Sequence, residues 1–450
     1  MIGVINATDI SLKDKCLTSM IRIGGITILE RQIRIMRKAG ITEIVIIPGS
    51  DTDIIRKTIK ELPFKDVLIT ISPVTRAGVL QSFVFEGDPG TVFLYFDGCS
   101  IFDDRLPERF LNVTCQRAAL IPQEMLLKEE KSRGVGIKAG ETDYRFAGIA
   151  VVSSRTLKSV NMNQPGITLN ILNCLIQESE SPILDISTLS TYNYDMRREQ
   201  SYMWIYIESS EDNHSAKKEL LDNAQKSVLD WPAWFIHRPI EKWIVYHICE
   251  WRVTPNQITL INIAVAFVAT YFFATGHFLP AMMLAVATGI IDGLDGKQAR
   301  VKMMMSKIGR LEEVGDRIYE YSWYLALAYY FSSHGYGTVP YILFAAMFIS
   351  HFADISISAL FKHKKGVQLD DFGQLERNFR WIGSRRNTNI WTLIPFFIAG
   401  AFYKGFIFIA GYYVITVLFK VWRLIVHFSK NGGREKIITT VNKHEQPHKD

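Results

Sequence analysis

The stretch IIDGLDGKQAR, residues 290–300, closes a run of apolar residues that begins LPAMMLAVATG at 279–289. Two aspartates, two glycines and an arginine at the mouth of such a run call for a physical reason, because carboxylates near hydrocarbon are costly. Asp292 and Asp295 are three residues apart, which on a helix puts them on one face. Gly293 and Gly296 remove side chains beside them, so that a bulky group can approach the backbone. Arg300 supplies a forked donor suited to phosphate. After a basic connection, SKIGRLEEVGDRIYEY (306–321) opens the next apolar segment. There Glu312 and Asp316, or Glu313 and Asp316, again share a helical face. Four oxygen ligands from two facing helices describe a site for Mg²⁺ or Mn²⁺. The alternative is a set of acids that merely pair with nearby basic residues at a solvated helix end.

Outward from this stretch, the 450-residue chain changes character near residue 235. The first part has the composition of a soluble protein. The second carries six apolar runs, at 258–275, 278–291, 318–331, 339–361, 391–403 and 406–418. Several reach the roughly 20 residues that cross a bilayer once a polar first turn is included. Lys297, Arg300, Lys302 and Lys307 occupy one connection. Lys362, Lys364, Lys365, Arg377, Arg380, Arg385 and Arg386 occupy another. The alternate connections hold few positive charges, so the expectation is a multi-pass protein of the inner cell membrane with both termini and the N-terminal half in the cytoplasm. A transporter would place acids near the midplane of several spans; His351 and Asp354 are read as serving helix packing or a polar cavity wall. RPIEKWIVYHICEW (238–251) puts Ile240, Trp243, Ile244, Ile248 and Trp251 on one face and reads as a helix lying in the membrane plane. The alternative is a helix packed on the N-terminal domain. The polar tail from 429 to 450 reads as disordered. The net charge of +6 is mild and suggests no nucleic-acid partner. Five scattered cysteines, without a CxxC pair, read as reduced thiols.

DGLDGKQAR, with Gly309 eight residues further on, resembles the signature of the CDP-alcohol phosphotransferase (phosphatidyltransferase) family, D-x2-D-G-x2-A-R-x8-G-x3-D-x3-D. VTPNQITL (253–260) is similar to the family's entry into its first membrane helix. The resemblance implies an all-α, six-helix membrane domain over 253–428 with a metal site on the cytoplasmic side. Asp292 and Asp295 match the first two metal-binding aspartates; Gly296, Ala299, Arg300 and Gly309 match nucleotide-binding positions. Asp316 matches the last aspartate, a metal ligand and the catalytic base. The chain has seven positions from Gly309 to Asp316 where the family has eight, and Glu312 or Glu313 stands in for the third aspartate; Glu312 keeps the four-residue spacing. The implied reaction moves a phospho-alcohol group from a CDP-alcohol to the hydroxyl of an alcohol or lipid acceptor, releasing CMP, in phospholipid or inositol-phosphate diester synthesis. Arg385 and Arg386 are candidates for gripping an anionic acceptor. The resemblance also implies a homodimer among membrane lipids.

Residues 1–207 alternate β runs (IGVINA, EIVIIPG, DVLITIS, TVFLYFDG, AALIPQ, AGIAVVS, YMWIYI) with two helical stretches. That pattern predicts an α/β, Rossmann-like domain with a largely parallel sheet. A linker helix over 208–236 and the in-plane helix over 237–252 follow. MIRIGGITILERQIRIMRKAGITEIVIIPG resembles sugar-phosphate nucleotidyltransferases, with Asp97 in FLYFDG at the family's metal position. The fusion resembles bifunctional inositol-1-phosphate cytidylyltransferase/di-myo-inositol phosphate phosphate synthases. Such enzymes cradle a triphosphate on a Gly-rich loop; here NATDISLKDK (6–15) holds no glycine, and Thr18 stands near the place of the expected lysine. The domain therefore reads as a degenerate scaffold, with cytidylyl transfer as the alternative. A non-catalytic membrane scaffold is the remaining reading of the whole chain.

Overall fold

The computed structural model describes the chain apart from residues 50, 73–90, 112, 114, 127–129, 140, 161–165, 179–181, 227–228, 305–308 and 430–450, and apart from the side chains of 178 and 309–314. Residues 430–450 of the proposed tail and Lys307 thus fall outside the described residues, while Ser429 belongs to the last helix.

In the N-terminal domain the principal elements are β1 (Ile2–Ala7), α1 (Ile28–Lys38), β2 (Glu43–Pro48), α2 (Thr52–Glu61), β3 (Leu68–Ile71), β4 (Val92–Asp97), β5 (Ser100–Phe102), β6 (Arg117–Pro122), β7 (Gly136–Ala139), β8 (Thr142–Ser153), α3 (Ile167–Glu178), β9 (Ile183–Asp185) and β10 (Trp204–Tyr206). All seven sequence-read strands exist. The main sheet runs β9-β6-β8-β4-β1-β2-β3, with β7 on β8. It is mixed, which corrects the expectation of a largely parallel sheet: β8 is antiparallel to β4, β6 and β7. The apolar run of β8 reads alike in either direction, so its pattern alone carries no orientation. YMWIYI lies outside the main sheet, where β10 pairs with β5.

Burial on both sheet faces explains the near-continuous apolar strands. Ile5, Ile44, Ile46, Leu94 and Phe96 face α1 residues Leu29, Ile33 and Met36. Val4, Val45, Phe93 and Tyr95 face the other way, onto Ile171, Leu172 and Leu175 of α3. Thr27 caps α1 by accepting from the Glu30 amide at 3.1 Å, and Gly40, with φ +82°, ends it.

Beyond the sheet, α4 (Asn213–Asn223) leads to a short π-helical turn and to α5 (Arg238–Ile248). Six helices follow on the six apolar runs: α6 (Pro255–Ala274), α7 (Phe278–Val301), α8 (Gly309–Phe331), α9 (Val339–Lys365), α11 (Arg386–Ile398) and α12 (Phe402–Ser429), with α10 (Gln374–Ile382) between α9 and α11. Among the described residues, α6, α7, α9 and α12 are long and apolar enough to cross a membrane. The α6 start is fixed by a capping box, Thr254 with Gln257, and by Pro255 at the first helical position. Small residues Ala266, Ala269, Ala281 and Ala285 let α6 and α7 close on each other around Phe273 and Trp323. Leu260, Ile349, Ile398 and Ile425 turn outward and are exposed. An apolar outer surface over a packed core is what a bilayer requires and water penalises. These features make the second half a membrane domain.

The surface of α5 and the residues just after it is two-sided. Trp243 and Trp251 are exposed, while Glu241, Val245 and Cys249 turn inward.

Candidate active site

The signature sits on the last three turns of α7. Asp292, on that helix, and Asp316, on α8, converge on Arg386 at the start of α11. Arg386 Nη2 lies 2.6 Å from Asp292 Oδ2 and its Nη1 3.5 Å from Asp316 Oδ2. Tyr319, one turn beyond Asp316, donates its hydroxyl to Asp316 Oδ1 at 2.9 Å and accepts from Arg386. Asp295 is buried one turn further along α7 and takes a different partner, accepting from the Thr259 hydroxyl of α6 at 2.7 Å. The structure thus gathers Asp292, Asp316 and Arg386 and leaves Asp295 beside them. The Glu312 and Glu313 side chains fall outside the described residues. All-oxygen donors from two facing helices, drawn together on one positive group, fit a hard divalent cation. Arg385 pairs instead with Asp370 at 2.6 Å, a carboxylate that its basic neighbours hold far below the usual range despite burial.

The glycines act where close approach demands them. A Cβ at Gly293 would lie 2.2 Å from the Glu241 carboxyl carbon, so Gly293 lets α5 seat a carboxylate against α7. Glu241 then pairs with Lys297 at 2.7 Å, and both side chains are buried. Lys297 and Lys302 are therefore structural cations and not loop charges; Lys302 donates to the Trp251 carbonyl at 2.6 Å. Removing one partner of a buried pair strands the other charge. Lys297→Met is expected to cost about 3–5 kcal/mol, read as a lowered thermal midpoint, with much of the loss recovered in Glu241→Gln/Lys297→Met. At Gly296 a Cβ would stand 3.2 Å from the Arg300 guanidinium. Arg300 Nε donates to the Ala224 carbonyl at 2.7 Å. Ala299 accepts from the Met304 amide at 2.8 Å, and Gly309 begins α8.

Two charged groups in the helices, Glu320 and Lys420, escaped sequence reasoning. Glu320 accepts from the hydroxyls of Tyr413 at 2.8 Å and Tyr324 at 3.4 Å, so His351 and Asp354 are not alone among polar residues in the spans. Asp354 meets Lys420 of α12 at 2.5 Å, while the His351 ring contacts Tyr321 and Tyr413. Lys420 inside an apolar run was the available signal for a buried acidic partner.

In the N-terminal domain, β1 and β4 pair so that Asn6 stands beside Asp97 at the carboxyl ends of parallel strands, where ligands of α/β sheets bind. Thr168 donates to Asp97 Oδ1 at 3.2 Å and contacts the Tyr95 hydroxyl at 2.8 Å. Asp9 occupies the loop that has no glycine. Asp9, Asp97 and Cys99 are, among the described residues, the one group of three such side chains whose ligand atoms all lie within 4.8 Å of one another. Spacing along the chain did not signal this group. Burial, and then the neighbouring Asp9, push the Asp97 carboxyl up to about 7; burial also raises Asp9. The folded state holds protons that the unfolded chain has already released, so this pair lowers stability as pH climbs from about 4 to about 7. Asp9→Asn is expected to flatten that slope in a series of thermal midpoints across pH; an unchanged slope would refute the coupling. Lys13, upstream, is spent on a surface pair with Glu211 at 2.6 Å.

The comparisons with known proteins bear on this geometry. Residues 252–422 match the family model of CDP-alcohol phosphatidyltransferase, a span that contains every signature residue named above. These residues form a CDP-alcohol phosphatidyltransferase domain. The chain is accordingly a transferase. It is similar, at 23% identity over 423 residues, to the bifunctional IPC transferase and DIPP synthase of Aquifex aeolicus, covering 90% of this chain and 93% of that one. A protein of the same description from Archaeoglobus fulgidus is 26% identical over 213 residues, covering 46% of this chain and 40% of that one. Among solved structures, the inositol-1-phosphate CTP transferase from T. maritima aligns with 47% of this chain and 90% of its own, at 14% identity and a TM-score of 0.34. The phosphatidyltransferase domain thus begins at the entry to α6 and carries the signature on α7 and α8.

Proposed function

We propose that the chain is an integral membrane CDP-alcohol phosphotransferase with six crossings, its signature end and N-terminal domain on the cytoplasmic side, acting as a homodimer. The observation that carries this reading is the convergence of Asp292 and Asp316 from two helices onto Arg386 at the polar end of the helical domain. Asp292, Asp295 and Asp316, with Glu312 or Glu313, would hold Mg²⁺ or Mn²⁺, which when bound neutralises the diphosphate of the donor. Arg300 binds a donor phosphate, with Gly296 and Ala299 leaving room beside it. The acceptor oxygen attacks the phosphorus that carries the donor alcohol. The bond from that phosphorus to the CMP oxygen breaks, CMP leaves, and Asp316 takes the acceptor proton. Arg386 steers an anionic acceptor to that phosphorus. Arg386→Met is expected to raise the acceptor KM more than tenfold, as the loss of a charge-assisted pair of hydrogen bonds would; an unchanged KM would remove Arg386 from this role.

The relatives' description points to CDP-inositol as donor and inositol phosphate as acceptor, giving an inositol-phosphate diester. Metal-dependent CMP release by the full chain in liposomes tests this, with CDP-inositol or CDP-diacylglycerol as donor and inositol phosphate, glycerol phosphate or serine as acceptor. Release with CDP-inositol alone supports the diester reading; release with CDP-diacylglycerol alone replaces it with phospholipid synthesis. No release with any pair, from folded protein, overturns the transfer.

A second reading adds cytidylyl transfer from CTP in the N-terminal domain. It is favoured by the extent of the match to the Aquifex aeolicus protein, which spans both domains. The loop without glycine and Asp9 in that loop oppose it, since an acid beside Asp97 repels a triphosphate. Pyrophosphate release from CTP and inositol phosphate decides between them.

A further inference from the structure

Arg386, which steers the acceptor in the transfer reading, is the second of two consecutive arginines, and the first is held elsewhere. Arg385 Nη2 lies 2.6 Å from Asp370 Oδ2, and Arg380 of α10 reaches the same oxygen at 2.5 Å. Lys420 of α12 stands 3.4 Å from the other oxygen. Asp370 and Asp371 share a single helical turn, Leu369–Phe372, between α9 and α10. Asp371 Oδ2 in turn receives Arg197 of the N-terminal domain, whose Nε and Nη2 approach to 2.6 and 2.5 Å. We propose that Arg197 and Asp371 are positioning residues, a clasp through which the N-terminal domain, by way of Asp370 and Arg385, fixes the direction of Arg386 and so sets acceptor affinity. The inference rests on the transfer reading given above.

Arg197 lies in the turn between the paired segments Tyr192–Asn193 and Arg198–Glu199. Its φ of +54° belongs to a backbone region that favours glycine or asparagine. Asn193 already shapes the turn, its Oδ1 accepting from the Asp195 and Met196 amides at 3.0 and 3.1 Å. An arginine held in so unfavourable a backbone points to a use for its guanidinium. The base of the turn is anchored to the domain: Arg105, paired with Asp103 at 2.8 Å, donates to the Gln200 carbonyl at 3.0 Å, and Arg198 donates to the Asp222 carbonyl of α4 at 3.0 Å. The Arg197 and Asp371 side chains are 20% and 13% exposed, so water screens them less than a surface pair.

The receiving side is equally constrained. Leu369 is buried against Ile357 and Phe361 of α9, which resists sliding of the turn. The Ser384 amide donates to Thr416 Oγ1 of α12 at 3.0 Å, and the Ser384 hydroxyl to Asn389 Oδ1 at 3.0 Å. With Ser384 tied to α12 and Arg385 drawn to Asp370, Arg386 is left turned toward Asp292 and Asp316.

Two measurements on the full chain in liposomes test the clasp, using Arg197→Gly, Asp371→Asn and the double variant. Glycine suits the backbone at 197, so the change removes the guanidinium without straining the turn. Hydrogen exchange is expected to quicken at the backbone amides of 384–390 in each variant and to stay unchanged in α6. For CMP release, the acceptor KM is expected to rise about three- to tenfold, less than on losing Arg386 itself, with donor KM and kcat unchanged. The double variant is expected to be no worse than either single one, since both remove the same contact. Unchanged exchange at 384–390 overturns the proposal, as do additive effects of the two changes or an unchanged acceptor KM in a chain that transfers. If the unaltered chain releases no CMP, the transfer reading falls, and the exchange measurement alone decides whether the clasp holds the first turn of α11.

Discussion

Asp316→Asn is expected to reduce kcat for CMP release by a factor on the order of 10³, the range that a positioned general base supplies. The side chain keeps its size and can still accept from the Tyr319 hydroxyl, so folding gives no alternative explanation for a loss, while the charge that faces Arg386 at 3.5 Å is removed. The amide cannot take the acceptor proton, and it offers one oxygen where two stood. The two effects separate by measurement. Divalent-metal affinity, read by calorimetry without substrate, reports the ligand role; kcat at saturating metal reports the proton. Asp295→Asn, on α7 and turned to Thr259, is expected to weaken metal binding, with kcat recovering as metal is raised. Should Asp316→Asn behave in that same recoverable way, Asp316 is a ligand only and the base lies elsewhere.

Gly25→Ala has the largest expected structural effect. Gly25 has φ +87°, and a Cβ there would stand 1.9 Å from the Cys249 carbonyl oxygen at the end of α5. Lys302 crowds the same position at 3.0 Å. The backbone term costs about 1–2 kcal/mol, and overpacking adds about 1–3 kcal/mol because a carbonyl cannot swing aside. Gly40→Ala provides the control. Its φ of +82° imposes the same backbone strain, but nothing lies within 4 Å. Trypsin cleavage between α4 and α5 is expected to accelerate in Gly25→Ala and stay slow in Gly40→Ala. Equal rates would mean that the 24–25 turn does not hold the two domains together.

The RIGG stretch shows what a sequence conveys and what it conceals. Its glycines were legible as a nucleotidyltransferase trait, yet their seat against Cys249, Val301 and Lys302 depends on a domain far along the chain. The metal acids were legible because helical period places Asp292 with Asp295 and Glu312 with Asp316 locally. Arg386 was visible only as half of a basic pair; its contacts arise from packing α11 across the ends of α7 and α8. Glu241 with Lys297, and Asp354 with Lys420, likewise join residues on different helices, which periodicity within one segment cannot relate. In the N-terminal domain α3 went unread because Thr168, Asn170 and Asn173 interrupt its apolar spacing, while Ile171, Leu172 and Leu175 supply its core face. Thr168 is also the residue that ties Asp97 to Tyr95.

The seat of the 24–25 turn has a consequence in time. Gly24 and Gly25 are made early, but the surface that receives them is complete only when residue 302 has been synthesised. At about 5–20 residues per second the N-terminal domain, complete at residue 207, can fold roughly 5–19 s before its seat exists. Throughout that interval the 24–25 turn lacks its seat against Cys249, Val301 and Lys302, and the first membrane helices enter the bilayer with the domain still undocked. The junction therefore forms only after the N-terminal domain has folded, and slowing translation between residues 224 and 302 lengthens the period in which nascent chains can pair wrongly with one another.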